Sequence, residues 1–201
     1  KRRILEDLVQ WKEKKDRKPL ILNGARQVGK TYILHEFGKK YFNKFHYINF
    51  EHDEKATKIF CSRLDPLKII NDLRLYLDTP IDILNDLIIF DEIQQCPKAI
   101  TSLKYFQENM PEMALCGAGS LIGVHLGESS FPVGKVDLLK MYPLSFDEFL
   151  QGSGDERYSE FLKNITKNET ISELIHAELW DKLKVYFVVG GLPEVVKKFT
   201  E

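Results

Sequence analysis

The stretch Gly24-Ala25-Arg26-Gln27-Val28-Gly29-Lys30-Thr31 constrains this chain more than any other. Its spacing, G-x-x-x-x-G-K-[ST], is that of a phosphate-binding loop. Two glycines let the backbone wrap closely around phosphate oxygens, with no Cβ in the way and positive φ permitted. The amides of such a loop point inward as an anion-binding nest. Lys30 is then expected to reach the β- and γ-phosphates, and the Thr31 hydroxyl to ligand Mg²⁺. The pattern arises by chance in about 1% of chains of this length at average residue frequencies, so its surroundings must decide. A buried strand is required before the loop and a helix after it. Pro19-Leu20-Ile21-Leu22-Asn23 is a short apolar run of strand type, and Tyr32, Ile33, Leu34 and Phe37 follow with helical spacing, with Gly38 placed as a helix stop.

The rest of the chain supports an α/β fold. Residues 2–16 carry Ile4, Leu5, Leu8, Val9 and Trp11 among many charges, as in an amphipathic helix. A helix to about Lys40 follows the loop, and the aromatic and β-branched run Phe45–Phe50 predicts a second strand. Asp53 is placed to cap a helix through about Cys61. Asp65-Pro66 opens another, with Leu67, Ile70, Leu73 and Leu77 on one face, and Thr79-Pro80 ends it. Leu87-Ile88-Ile89-Phe90 is a continuous apolar run, as in a strand buried on both faces of a parallel sheet. Pro97 starts a helix with Ile100, Leu103 and Phe106 inward. Met113–Cys116 reads as a fourth strand, residues 121–134 as a loop, and Lys135–Met141 as a fifth strand. Ser145…Glu148 is a capping box, and after residue 152 only helical patterns remain, over 155–165, 170–188 (with a Thr170…Glu173 box) and 193–200. These alternations predict an α/β core at 1–152, a doubly wound parallel sheet with crossover helices, and a helical subdomain at 153–201. The sequence stops inside an apparent helix, so a longer parent protein is expected.

Asp91-Glu92 follows the buried run directly, at the carboxyl end of its strand, where ligands sit in parallel sheets. Asp91 is the second expected carrier of Mg²⁺ beside Thr31. Glu92 is the natural general base for an attacking water, which makes Glu92 and Lys30 the expected catalytic pair. Alone, an acidic pair merely ends a strand; with the phosphate loop upstream, the functional reading prevails. Ser120, after the fourth strand, stands either where a γ-phosphate sensor would or in a simple turn. Arg26 faces either a phosphate, a neighbouring subunit or solvent. Gln94 or Gln95 orients water or is a solvated loop residue.

Taken together, GARQVGKT, LIIFDEIQ, FPVGKV, YPLSFDEFL and GGLPEVV resemble the AAA-type P-loop ATPases of the AAA_14 family, over essentially residues 2–201. In that family a domain of unknown function, DUF4143, forms the C-terminal part. The resemblance implies an ASCE-class P-loop NTPase core related to STAND ATPases. Its five-stranded parallel sheet has the order 5-1-4-3-2, with helices on both faces and a helical extension after it. It supports Gly24, Gly29, Lys30 and Thr31 for phosphate and Mg²⁺, Asp91 for Mg²⁺ and Glu92 for catalysis. Gly190-Gly191-Leu192-Pro193 resembles a STAND motif in which the proline (here Pro193) approaches the nucleotide; an ordinary break between helices accounts for it equally. One departure from the AAA plan stands out. No arginine lies between Arg74 and Arg157, so the usual place of an arginine finger is empty. Lys135 is a cation in that region but lacks the bidentate fork.

Composition limits the alternatives. The 201 residues carry a formal charge of -1 with both signs interspersed, which gives no domain-wide footprint for nucleic acid and leaves only a local patch. With no apolar run of membrane-spanning length and no signal peptide, a cytoplasmic location without membrane association is expected. Cys61, Cys96 and Cys116 are far apart and read as reduced thiols in or near the core, and the five histidines lack metal-ligand spacing. The arginine-free stretch argues against nucleotide kinases, which carry arginines in a lid. The absence of N-K-x-D argues against a GTPase. Two functions remain: Mg²⁺-dependent ATP hydrolysis, and a switch in which ATP or ADP binding controls an attached effector. The expected partner is the nucleotide, with a homo-oligomer or protein partner open.

Overall fold

The computed structural model describes residues 2–61, 64–120, 131–166 and 169–201. Residues 121–130, in the stretch expected to form a loop, lie outside them. The chain divides into two compact units, one of residues 4–26 and 30–141, the other of residues 1–3, 27–29 and 142–201.

The first unit is a five-stranded parallel sheet. Its strands are β1 (Leu20–Gly24), β2 (Phe45–Asn49), β3 (Leu87–Asp91), β4 (Ala114–Gly119) and β5 (Asp137–Met141), in the order β2-β3-β4-β1-β5. All four pairings are parallel. This is the order expected. Every residue of β3 is buried, as its unbroken apolar run requires. Alternate residues serve opposite faces. Ile21, Ile48, Ile88, Phe90 and Leu115 join one cluster with residues of α3 (Glu54–Thr57), α4 (Pro66–Tyr76) and α5 (Pro97–Asn109). Within it Phe50, Phe60 and Phe90 meet pairwise at ring centroid distances of 5.4–5.5 Å. On the other face α2 (Lys30–Tyr41) packs across β1 to β4, and α1 (Ile4–Glu13) packs on α2, with Trp11 against Phe37.

Several local expectations are corrected. Gly38 does not stop α2, which continues to Tyr41. A Cβ on Gly38 would lie 2.7 Å from Cβ of Phe45, so glycine there lets β2 approach the helix. Gly38→Ala therefore has opposing effects. Helix propensity gains about 1 kcal/mol, and overpacking costs about 1–3 kcal/mol. The clash is with the first side-chain atom of Phe45, which cannot swing aside, so net destabilisation is expected; a denaturant titration measures it. Leu67 is exposed, and Pro66, Ile69, Ile70 and Leu73 form the buried stripe of α4. β4 runs to Gly119, past the expected end at Cys116. Its Gly117 lies under Ile93, where a Cβ would be 3.0 Å from Cδ1, so glycine here marks close packing within a strand. Cys96 and Cys116 are buried, but Cys61 is exposed.

The second unit contains α6 (Phe146–Gly152), α7 (Glu156–Asn164), α8 (Glu173–Val189) and α9 (Pro193–Thr200). The Ser145–Glu148 capping box forms as expected. Glu148 also receives the backbone N–H of Arg3 at 2.9 Å, and Arg3 pairs with Asp147 at 2.8 Å. Leu144, Phe149 and Val196 form one small core, and Leu150, Tyr158 and Leu179 another. Thr170 is not the cap of α8: Ser172 is, accepting from the N–H of Ile175, because the helix begins three residues later than expected. α8 leaves Trp180, Phe187 and Val188 exposed.

Candidate functional site

Three neighbouring strands deliver the expected residues to one edge of the sheet. β4 lies between β3 and β1. The carboxyl end of β3 carries Asp91-Glu92, that of β4 Ser120 and that of β1 the Gly24–Thr31 loop. Register keeps these ends level, with Asn23 beside Gly119 and Phe90 beside Gly117. Chain reversals after β1 and β3 therefore face the crevice that parallel sheets use for ligands.

Within the loop, Gln27 (φ 64°) and Gly29 (φ 91°) both adopt left-handed backbone. Such turns aim successive N–H groups to one side, as anion-binding nests do. α2 begins at Lys30, so its N-terminal amides adjoin the same space. Val28 is buried; Ala25, Arg26 and Gln27 are exposed. Lys30 is only 6% exposed, and its ammonium donates to the carbonyl oxygens of Gly24 (3.0 Å) and Ala25 (2.8 Å). Burial holds the Lys30 pKa below its ordinary value. Glu92 and Asp91 pull it back up, and Arg26 adds to the lowering.

Asp91 is 1% exposed and is held by several donors. The Thr31 hydroxyl donates to Oδ2 at 2.6 Å, the Tyr47 hydroxyl to the same oxygen at 2.9 Å, and the Glu92 N–H to Oδ1 at 3.0 Å. Thr31 and Asp91, expected to act together, are thus in direct contact. Both offer hard oxygen ligands, the donor type Mg²⁺ prefers. Among the described residues, no cluster of three or more His, Cys, Asp or Glu side chains could hold a metal. A two-oxygen protein site fits an ion that keeps waters and takes its other ligands from phosphates.

Glu92 has φ 47° and ψ 43°, left-handed backbone that costs a non-glycine residue about 1–3 kcal/mol and gathers at functional sites. Its carboxylate accepts from the Gln94 amide, whose Oε1 is buried without a partner among the described residues. Ser120 is 3% exposed, and its hydroxyl likewise has no partner among the described residues. A buried hydroxyl at a strand end, left unpaired, is suited to a polar ligand atom. Lys135 is engaged elsewhere, with Glu108 at 3.0 Å. Pro193 opens α9 in the second unit. Before it, Gly190 (φ 78°) ends α8, and the Gly191 carbonyl accepts from the N–H of Leu144 at 2.6 Å.

Tyr47 and Asn49 of β2 belong to no motif of the sequence. They occupy one face of β2 by the period-two rule, and Asn49 pairs with Asp91 in register. The Asn49 amide donates to the Tyr47 oxygen at 3.2 Å. Burial first, and then the bond to Asp91, pushes the Tyr47 pKa up to about 12. His35 of α2 stacks edge-on against Tyr47 at 4.6 Å, and burial lowers its pKa. The only sequence signal for these contacts is alternation in β2, which does not say which strand lies beside it.

Among the described residues no helix is long and apolar enough to cross a membrane. Comparison with known proteins gives likenesses of several kinds. An uncharacterized protein of Methanocaldococcus jannaschii is 28% identical over 87% of this chain, which spans 35% of that relative's length. The Walker-type ATPase structure from Pyrococcus abyssi superposes with a TM-score of 0.57 at 15% identity, covering 98% of this chain and 65% of the other. Drosophila ORC bound to DNA gives 0.57 at 13% identity, covering 97% and 58%. The two structures establish the fold alone, a P-loop NTPase one. The model of an AAA domain family, AAA_14, matches residues 16–150, and AAA domains are nucleotide-binding modules of the ATPase class. Since that match takes in more than half of the sequence, the chain belongs to the AAA_14 family of AAA domains.

Proposed function

We propose that this chain binds ATP with Mg²⁺ and hydrolyses it slowly. The contact between Thr31, in the first turn of α2, and Asp91 at 2.6 Å carries the reading. It joins the two sequence elements that a Mg²⁺–nucleotide site needs. Loop amides from Gly24 to Thr31 cradle the phosphates, and Lys30 leaves the Gly24 and Ala25 carbonyls to meet the β/γ oxygens. Thr31 and Asp91 would hold Mg²⁺, which when bound would supply charge neutralisation on the phosphates. Glu92 takes the proton of the attacking water, and Gln94 orients its carboxylate. The Ser120 hydroxyl donates to the γ-phosphate. Products are ADP and inorganic phosphate.

The rate follows from what is missing. Residues 75–156 contain no arginine, and Lys135 is paired with Glu108. An arginine finger is worth about 10³–10⁵ in turnover. Phosphate release by the purified chain is therefore expected below about 1 s⁻¹, under the 1–100 s⁻¹ typical of kinases. Tens of turnovers per second would contradict this. The same assay with duplex DNA tests a nucleic-acid partner, and a protein partner or second copy supplying an arginine would raise the rate.

The second reading, a switch that works by binding alone, draws on Glu92 being tied to Gln94. Glu92→Gln separates the two. Loss of turnover with an intact biological output favours the switch.

A further inference from the structure

Tyr47 carries more than packing. Asn49 fixes the direction of its hydrogen bond. The Asn49 Oδ1 accepts from the Glu51 N–H at 2.9 Å, so the amide NH₂ must be the group turned to Tyr47, which it meets at 3.2 Å. The Tyr47 oxygen is therefore an acceptor toward Asn49. Its one proton goes to Oδ2 of Asp91, 2.9 Å away. Thr31 commits its one proton to the same oxygen at 2.6 Å. A hydroxyl bound in this way has its lone pairs directed away from the carboxylate. The Glu92 N–H holds the other oxygen at 3.0 Å, so the carboxylate plane is fixed from three sides.

We propose that Tyr47 is a positioning residue of the Mg²⁺–nucleotide site: its hydroxyl, oriented by Asn49, fixes the Asp91 carboxylate so that the Thr31 hydroxyl presents its lone pair to the metal. This rests on the ATP–Mg²⁺ reading of the same site. Partners that orient metal ligands from behind typically matter by about 10–100-fold in metal affinity. Tyr47 does not touch the reacting atoms, and its effect is on Mg²⁺ dependence.

Tyr47→Phe removes the hydroxyl and keeps the ring that stacks on His35 at 4.6 Å. The test is binding of a fluorescent ATP analogue, titrated with MgCl₂ and repeated in EDTA, with the thermal midpoint as a check on folding. The Mg²⁺ concentration for half-maximal binding is expected to rise about tenfold or more, while affinity in EDTA stays unchanged and the thermal midpoint falls by only the few degrees that one lost hydrogen bond costs. Asn49→Ala, which frees the hydroxyl without removing it, is expected to move the Mg²⁺ midpoint the same way by less, and serves if Tyr47→Phe fails to fold. An unchanged Mg²⁺ midpoint overturns the inference. So does equal weakening with and without Mg²⁺, which would make Tyr47 a structural residue only. If the wild-type chain binds the analogue without any Mg²⁺ dependence, the underlying reading of the site fails as well.

Discussion

Lys30→Ala is expected to weaken ATP binding by about 10- to 100-fold and to cut turnover by about 10²–10³. The first figure follows from losing a hydrogen bond to a charged group, about 1.5–3 kcal/mol. The second is the usual cost of removing one preorganised donor from a charge-building oxygen. Two features make the lysine effective. It is 6% exposed, so its charge acts where water screens little, and it rests on the Gly24 and Ala25 carbonyls, already within its loop. Its burial also carries a cost, seen in the lowered pKa. A triphosphate beside it would repay that cost by favouring the charged form. Calorimetric titration with ATP measures the first effect and phosphate release the second. Near-wild-type values for both would remove Lys30 from the site.

Glu92→Gln is expected to behave differently. Turnover falls by about 10²–10⁴, the range for losing a positioned general base, and ATP affinity holds or rises, since one negative charge near the phosphates is gone. Glutamine is nearly isosteric and still offers an oxygen to the Gln94 amide. The left-handed backbone at residue 92 is unaffected by the change. Single-turnover phosphate release with a parallel binding assay separates the two parameters. A variant that hydrolyses ATP at the wild-type rate would assign the base elsewhere.

The candidate site is legible in the sequence where its residues fall in short, contiguous spacing. The loop from Gly24 to Thr31 and the pair Asp91-Glu92 are of that kind, because each is read within one strand end or one turn. The doubly wound sheet follows from alternating apolar runs and helical stripes, whereas the strand order came through the family resemblance. What the sequence hides is set by register between strands. Tyr47 and Asn49 reach Asp91 only because β2 lies beside β3 with Asn49 opposite Asp91. Gly38 and Gly117 read as breaks because glycine lacks a side chain; the structure uses them as clearance for Phe45 and Ile93. Leu67 fits a helical stripe by spacing as well as Ile69 does, and only the position of the sheet decides between them. The left-handed turn at Glu92 has no local signal, since glutamate seldom adopts it.

Equilibrium titration of the wild-type chain with ATP, with and without Mg²⁺, asks whether the Gly24–Thr31 loop and Asp91 form one Mg²⁺–ATP site. One saturable ATP site per chain is expected, tighter with Mg²⁺ and competed by ADP. Absence of saturable ATP binding, or binding indifferent to both Mg²⁺ and ADP, would contradict it.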